Sequence, residues 1–284
     1  MSKFDWSGFN GKMQVSGHRG ARWTKPENTM TSFKYALEIG CDAIETDIRF
    51  TADKQLVLMH DETADRTTDG HGPIREMTLE QFKGLNAAYG FEDFAPEAPP
   101  TFEELLQFCC AQEKKIFINC EFKEYPVDGR DEFAYECADA IIEMIRKYDY
   151  EKHFVINSFS AKLLEYICDK YPGEKPGTCM YPVHGFYPYE TMSGATRCPG
   201  EYCDCLCVYT HHYLPDGTRR VENYHVPTRD VCEKLLAEGK ELWVGPMVSS
   251  YDELKWAVER GINLVCSDFP EDTLRILKEL GYHQ

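Results

Sequence analysis

The chain has 284 residues, of which 43% are hydrophobic, enough to bury the core of one large domain or of two small ones. Its net charge of −17, from 48 acidic and 31 basic residues, argues against nucleic acid and anionic membrane surfaces as partners. No apolar run approaches the about 18 residues of a transmembrane span, and residues 1–6 lack a secretory pattern. Thirteen cysteines without a regular framework are typical of free thiols, so we expect a cytoplasmic protein without a stable membrane anchor.

Strand-like and helix-like segments alternate along the chain. Eight apolar segments predict strands: Met13–Gly17, Ala43–Arg49, Lys115–Lys123, Phe154–Ser158, Gly177–Pro182, Cys205–Tyr209, Glu241–Gly245 and Ile262–Ser267. Seven segments between them predict helices: Thr29–Ile39, Phe102–Gln112, Glu132–Lys147, Ala161–Tyr171, Arg229–Glu238, Tyr251–Glu259 and Glu271–Leu280. This order predicts an α/β fold, a (β/α)8 TIM barrel forming a single domain over residues 1–284. A doubly wound open sheet is the alternative, although no G-x-G-x-x-G follows the first strand to favour it.

Helix caps and two irregular regions can also be predicted. Asn28 is the expected N-cap of the first helix and Thr101 that of the second. Glycines and prolines interrupt the periodicity at about residues 62–100, which we interpret as a small insertion after the second strand region, shaping the substrate entrance. A second irregular stretch covers Tyr181–Gly200.

Three acidic residues lie near the ends of two predicted strands. Side chains alternate along a strand, so Glu45 and Asp47 share one face while Ile44 and Ile48 take the other. Glu121 likewise lies on the face of its strand opposite the apolar residues Ile116 and Ile118. Clustered carboxylates repel one another unless a cation or a shared proton lies between them. Oxygen ligands favour one divalent cation, Mg²⁺ or Ca²⁺, over zinc, and a salt-bridge network is the structural alternative.

Two histidines follow apolar runs, His18 after residues 13–17 and His60 after residues 56–59. At the ends of strands both would lie on the catalytic face of a barrel, where one could act as general base and the other as general acid. Either alone is more often a structural or capping residue. Arg19 and Lys123 can neutralise an anion beside the acidic residues, and this combination suits cleavage of a phosphodiester.

Short motifs in a fixed order extend over nearly the whole chain. They are Gly17-His18-Arg19-Gly20, Pro26-Glu27-Asn28-Thr29, Glu45-x-Asp47, His60-Asp61, Arg66-Thr67-Thr68, Thr101-Phe102-x-Glu104-Leu105, Glu121-x-Lys123, Ser158-Phe159 and Ser267-Asp268-Phe269-Pro270. In these motifs the chain resembles the glycerophosphodiester phosphodiesterase family. The resemblance implies a (β/α)8 barrel with an insertion after the second strand region. It also implies cleavage of glycerophosphodiesters to an alcohol and glycerol 3-phosphate with the help of a divalent cation.

The resemblance also implies roles for individual residues. They are His18 and His60 as the acid–base pair, Glu45, Asp47 and Glu121 as ligands of one Mg²⁺ or Ca²⁺, and Arg19 and Lys123 as contacts to the phosphate. Glu27 either helps to position the site or only precedes a helix. In the family's mechanism a glycerol hydroxyl attacks phosphorus, one histidine protonates the leaving alcohol, and water opens the resulting cyclic phosphate. Which histidine is the base is left open.

The chain departs from the family after the seventh predicted strand. The family usually has Trp-Thr-Val-Asn there, whereas Trp243 is followed here by Val-Gly-Pro-Met. The resemblance implies a substrate contact for the retained Trp243, but it does not define the preferred alcohol head group. A lysophospholipase D-like enzyme acting on longer lipids and a catalytically silent binding protein are the alternatives.

One cysteine cluster, C-x4-C-x-C-x-C over residues 198–207, lies near His211 and His212. This spacing does not match a C-x2-C zinc knuckle, and Cys205 and Cys207 would share a face of a predicted strand. We therefore interpret these cysteines as buried or free thiols.

Overall fold

Parallel strands and helices alternate in the computed structural model, which describes residues 12–171, 178–183, 203–208, 212–213, 219–220, 229–247 and 250–283. The strands are β1 Gln14–Gly17, β2 Ala43–Phe50, β3 Leu56–Leu58, β4 Phe117–Phe122, β5 Phe154–Asn157, β6 Thr178–Val183, β7 Cys205–Val208, β8 His212–Tyr213, β9 Arg219–Arg220, β10 Glu241–Met247 and β11 Leu264–Ser267. The helices are α1 Met30–Glu38, α2 Leu79–Lys83, α3 Phe102–Cys110, α4 Asp131–Lys147, α5 Ala161–Lys170, α6 Arg229–Ala237, α7 Tyr251–Val258 and α8 Pro270–Glu279.

The parallel strands form one curled sheet. They are hydrogen-bonded in the order β1-β11-β10-β7-β6-β5-β4-β2, and β1 also pairs with β2, with Ser16 opposite Ala43. Because sheet neighbours follow chain order and β1 pairs on both sides, the doubly wound alternative does not fit. All eight predicted strands and all seven predicted helices are present, with ends displaced by at most two residues. The expected α/β architecture is therefore confirmed.

The alternation of side chains on the strands produces two different interiors. Ile44 and Ile48 of β2 lie on the outer face, in the main apolar core that also includes the buried residues of the surrounding helices. Phe117, Val155 and Trp243 belong to a separate apolar cluster on the opposite face. The predicted division of β2 into an apolar and an acidic face is thus confirmed, because Glu45 and Asp47 alternate with the two isoleucines.

A hairpin interrupts the parallel order after β2. β3 runs antiparallel to β2, with Leu58 opposite Ile48. His60 follows β3 as expected, but β3 runs back from the carboxyl end of β2, and the amide of Met59 donates to the carbonyl of Asp47 at 3.0 Å. His60 therefore reaches the level of Asp47 through a hairpin, whereas His18 follows a parallel strand. The residues that follow form a 3-10 turn at Ile74–Glu76, α2 and a small apolar cluster around Phe82.

The start of α1 differs from the prediction. Thr29 is the N-cap, because its backbone is extended and its hydroxyl accepts a hydrogen bond from the amide of Ser32 at 3.1 Å. Asn28 has a φ of 54°, in the left-handed region, and its side chain donates to Asp47 instead of capping the helix. Thr101 is confirmed as the cap of α3, where it forms a capping box with Glu104.

Candidate active site

Three buried carboxylates meet on the inner face at the carboxyl-terminal ends of β2 and β4. Asp47 is directly opposite Glu121 in the parallel pairing of the two strands, and Glu45 precedes Asp47 on the same face. One ligand oxygen from each of the three residues lies within 4.8 Å of the other two. The structure thus brings together the residues predicted as metal ligands.

Two buried, positively charged side chains lie against this cluster. The ammonium nitrogen of Lys123 is 2.6 Å from Oε2 of Glu121 and 3.2 Å from Oδ1 of Asp47. Nε of Arg19 is 3.5 Å from Oδ2 of Asp47, and the backbone amide of Arg19 donates to Oε2 of Glu45 at 2.8 Å. That amide is aimed at the carboxylate because Arg19 has a φ of 53°.

The pKa values of Glu45 and Asp47 are shifted in opposite directions. Burial and the neighbouring charge of Asp47 raise the pKa of Glu45 well above its ordinary value. Burial alone would also raise the pKa of Asp47, but Lys123 and Arg19 hold that pKa well below its ordinary value. Without a bound cation, the cluster therefore takes up a proton on Glu45 rather than on Asp47.

Two polar residues that our reasoning from the sequence did not assign to the site orient these carboxylates. Nδ2 of Asn28 donates to Oδ2 of Asp47 at 2.9 Å, and the side-chain oxygen Oδ1 of Asn28 accepts from the hydroxyl of Thr46 at 2.8 Å. The hydroxyl of Tyr125 donates to Oε1 of Glu121 at 2.6 Å. The left-handed backbone at Asn28 presents its amide to the cluster, which explains why Asn28 does not cap the helix.

His18 follows β1 and is buried beside the cluster. Its Nδ1 is 2.6 Å from Oδ1 of Asp268, which follows β11, and its Nε2 is 3.8 Å from Oε2 of Glu45. A carboxylate so close to Nδ1 keeps the proton there and leaves Nε2 as the acceptor. Burial lowers the pKa of His18 and outweighs the raising effect of Asp268, so the imidazole is neutral near pH 7.

His60 is held in a similar way on the side of the hairpin. Its Nδ1 is 2.7 Å from Oδ1 of Asp61, and the side chain remains 31% exposed. Arg66 binds Asp61 at 2.6 Å and also donates to both carboxylate oxygens of Glu27. Glu27 in turn accepts from Nη1 of Arg19 at 2.9 Å. A chain of ion pairs thus links the surroundings of the two histidines.

The structure also places the other predicted positions. Trp243 is buried in the inner apolar cluster, together with Cys205 and Cys207, which share a face as predicted. Cys198 and His211 lie outside the described residues, as does the stretch at 184–202. Asp61 and Asp268 were noted only as parts of motifs, yet both contact a histidine, and an acidic residue next to a strand-end histidine is a signal that would have revealed Asp61.

The donor set fits a hard divalent cation. All three converging side chains offer carboxylate oxygens, and Oδ1 of the buried Asp47 has no hydrogen-bond partner, only the ion-pair contact with Lys123. Asn28 and Tyr125 fix two of the carboxylates from behind, as outer partners of metal ligands commonly do.

The chain is similar in sequence to known glycerophosphodiester phosphodiesterases. A glycerophosphodiester phosphodiesterase from Bacillus altitudinis is 33% identical over 275 residues, which cover 94% of this chain and 99% of the relative. Another from Caldanaerobacter subterraneus subsp. tengcongensis is 40% identical over 154 residues, 52% of this chain, and the alignment spans 59% of that relative.

Solved structures support the architecture. A protein from Silicibacter pomeroyi DSS-3 matches with a TM-score of 0.76 at 24% identity, covering 96% of this chain and 95% of the other. A phosphodiesterase from Oleispira antarctica, solved with the product sn-glycerol-3-phosphate, matches with a TM-score of 0.72 at 21% identity, covering 95% and 98%. At these identities the likeness shows the fold alone.

Fold and site together define an α/β protein with a curled parallel sheet, whose buried acidic cluster lies at the carboxyl ends of its strands. The model of the glycerophosphoryl diester phosphodiesterase family matches residues 18–272, and the chain belongs to this family. Among the residues described here, no helix combines the length and the apolar character needed to cross a membrane.

Proposed function

We propose that the protein hydrolyses glycerophosphodiesters to an alcohol and glycerol 3-phosphate at the carboxylate cluster, on a complete (β/α)8 barrel. The observation that carries the proposal is the convergence of Glu45, Asp47 and Glu121 between two histidines, each bound through Nδ1 to an aspartate. Pairing of β1 with both β2 and β11 supports the barrel. The solved neighbour with sn-glycerol-3-phosphate has the same fold and a product of this class.

The three carboxylates would hold one Mg²⁺ or Ca²⁺. When bound, the cation neutralises charge on the phosphoryl oxygens and lowers the pKa of the attacking oxygen. Arg19 and Lys123 would bind the phosphate, because both already place positive charge at the cluster. Trp243 would contact the substrate as its family motif implies; it lies on the inner face of the sheet, in the inner apolar cluster.

The two histidines move the protons. One accepts the proton of the glycerol hydroxyl that attacks phosphorus, and the other donates a proton to the departing alcohol; water then opens the cyclic phosphate. The neutral state of His18 suits the first role, because its Nε2 can accept a proton while Asp268 holds Nδ1. The hydrogen bond between His60 and Asp61 likewise leaves Nε2 of His60 for transfer.

The segment at about 62–100 and the compartment belong to the same proposal. We place this insertion at the substrate entrance, since Arg66 binds Glu27 in the loop after β1 and Lys25 of that loop stacks on Phe94. Buried thiols such as those of Cys41 and Cys120 are compatible with a reducing cytoplasm.

Purified protein incubated with glycerophosphocholine and, separately, with lysophosphatidylcholine tests the proposal. We expect release of glycerol 3-phosphate from glycerophosphocholine, loss of activity in EDTA and recovery with Mg²⁺ or Ca²⁺. Preference for lysophosphatidylcholine would favour a lysophospholipase D-like enzyme, and absence of turnover on both would favour a binding protein. Full activity in excess chelator would contradict the cation site.

Removal of either imidazole tests the acid–base pair. We expect His18→Ala and His60→Ala each to lower kcat by roughly 10²–10⁴-fold, the usual contribution of a general acid or base. Steady-state kinetics with circular dichroism on the same preparations separates lost chemistry from lost folding. Near-normal turnover in a folded variant would remove that histidine from proton transfer.

A further inference from the structure

Arg49 connects the end of β2 to the backbone of His60. The side chain of Arg49 is buried, and its Nε and Nη2 donate to the main-chain carbonyl of His60 at 3.1 and 2.7 Å. Its Nη1 lies 3.4 Å from Oε1 of Glu124, a buried carboxylate just beyond β4. The guanidinium therefore joins β2, the segment after β4 and the hairpin at one point.

We infer that Arg49 is a positioning residue that fixes the imidazole of His60 beside the carboxylate cluster; the inference rests on the proposed function. The His60 ring is held through Nδ1 by Asp61, and the amide of Met59 donates to the carbonyl of Asp47 at 3.0 Å. The carbonyl of His60 is the remaining anchor, and Arg49 binds it twice. Proton transfer requires this control, since a displacement of about 1 Å can cost 100-fold in rate.

Stabilisation of the hairpin does not by itself require these two bonds. β3 already pairs with β2 over three residues, and the amide of Leu58 donates to the carbonyl of Pro100 at 3.0 Å. A buried guanidinium is costly unless its N–H groups are satisfied, and here two of them are directed at the backbone of the one histidine in the hairpin. Glu124 supplies the neutralising charge on the opposite side.

Arg49→Met and Arg49→Lys are each introduced into the wild type and into His60→Ala. The values of kcat and KM are measured at saturating Mg²⁺, below the melting temperature of every variant. Tyr150→Phe is the matched control, because its hydroxyl makes a buried bond to the carbonyl of Ile116 away from the site. We expect Arg49→Met to lower kcat by about 10–100-fold with KM changed less than about 2-fold. Lysine should restore part of kcat through a single donor, and Tyr150→Phe should lose stability only.

The His60→Ala background distinguishes the outcomes. If Arg49 acts through His60, Arg49→Met causes no further loss there, whereas an additional loss of the same size overturns the inference. If His60→Ala is inactive but both Arg49 variants turn over normally, the positioning role of Arg49 is overturned and the proposed role of His60 stands. Near-normal turnover in His60→Ala overturns the proposed role of His60, and the inference with it. If Arg49→Met does not fold, the same comparison with Arg49→Lys decides.

Discussion

Lys123 contributes both to the internal charge balance and to the proposed phosphate contact. It lies in an interior position between Asp47 and Glu121, and the attraction of these carboxylates outweighs burial and raises its pKa. Breaking a buried ion pair by removing one partner costs about 3–5 kcal/mol, because the other charge is left without compensation. The structure therefore predicts a stability effect that depends on whether a cation is bound.

For Lys123→Met we expect a lower melting temperature in EDTA and a larger stabilisation by Mg²⁺ or Ca²⁺ than in the wild type. With cation bound, kcat/KM should still fall by about 100-fold or more, since the phosphate loses a donor. Calorimetry and kinetics on one preparation measure both, with Lys54→Met, which removes an exposed pair with Glu136, as control. An equal loss of stability with and without cation would contradict the charge-balance role.

The lowered pKa of Glu27 predicts that the free energy of unfolding decreases in acid. Burial would raise its pKa, but the contacts with Arg66 and Arg19 lower it from 4.5 to about 2. The ionised form therefore stabilises the fold fully above about pH 4.5, and this contribution disappears as the pH falls towards about 2; its size is on the order of 3 kcal/mol. Urea unfolding at several pH values should show a shallower decline below about pH 5 for Glu27→Gln than for the wild type. Parallel curves would show that the ion pairs contribute nothing.

At the scale of elements, two adjacent residues before α1 have separate tasks. Thr29 caps the helix, whereas Asn28 orients Asp47. We expect Thr29→Ala to lose about 1 kcal/mol of stability with kcat unchanged. Asn28→Gly suits the left-handed backbone and removes the amide, so it should weaken cation affinity and kcat while the melting temperature changes little. Isothermal titration with Mg²⁺ and thermal melts measure both, and the reversed pattern would restore Asn28 as the cap.

Periodicity and strand-end reasoning predicted most of the architecture. The alternation of Glu45 and Asp47 with Ile44 and Ile48 revealed both the strand and its acidic face, because a strand between two different interiors must alternate. Motif order suggested the site residues. The local signals were therefore sufficient wherever one element determines the side-chain direction.

Long-range contacts could not be predicted. Nothing in the sequence shows that His18 meets Asp268, 250 positions away, since this depends on β1 and β11 becoming neighbours. The hairpin at β3 was missed because its apolar run is short and resembles a parallel strand. Asn28 was misassigned because cap residues and site residues share the same short polar side chains.

At the scale of the whole molecule, cation binding should be measurable without substrate. A ligand at about 100 times its dissociation constant stabilises the folded state by about 2.7 kcal/mol, which corresponds to roughly 5 °C for a chain of 284 residues. We expect Mg²⁺ or Ca²⁺ to raise the melting temperature of EDTA-treated protein by this amount and to leave Asp47→Asn nearly unchanged. Equal shifts in both proteins would place the cation elsewhere.

Closure of the sheet through β1 also determines when the site becomes complete during synthesis. The carboxylate cluster and His60 come from residues 45–121, so they can assemble in an early folding intermediate. β1, however, keeps one edge open until β11 emerges more than 240 residues later, and only then does Asp268 reach His18. A partly synthesised chain can therefore bring the three carboxylates together before the Nδ1 partner of His18 is in place. Pairing of β11 with β1 therefore determines when the imidazole of His18 becomes fixed beside the carboxylates.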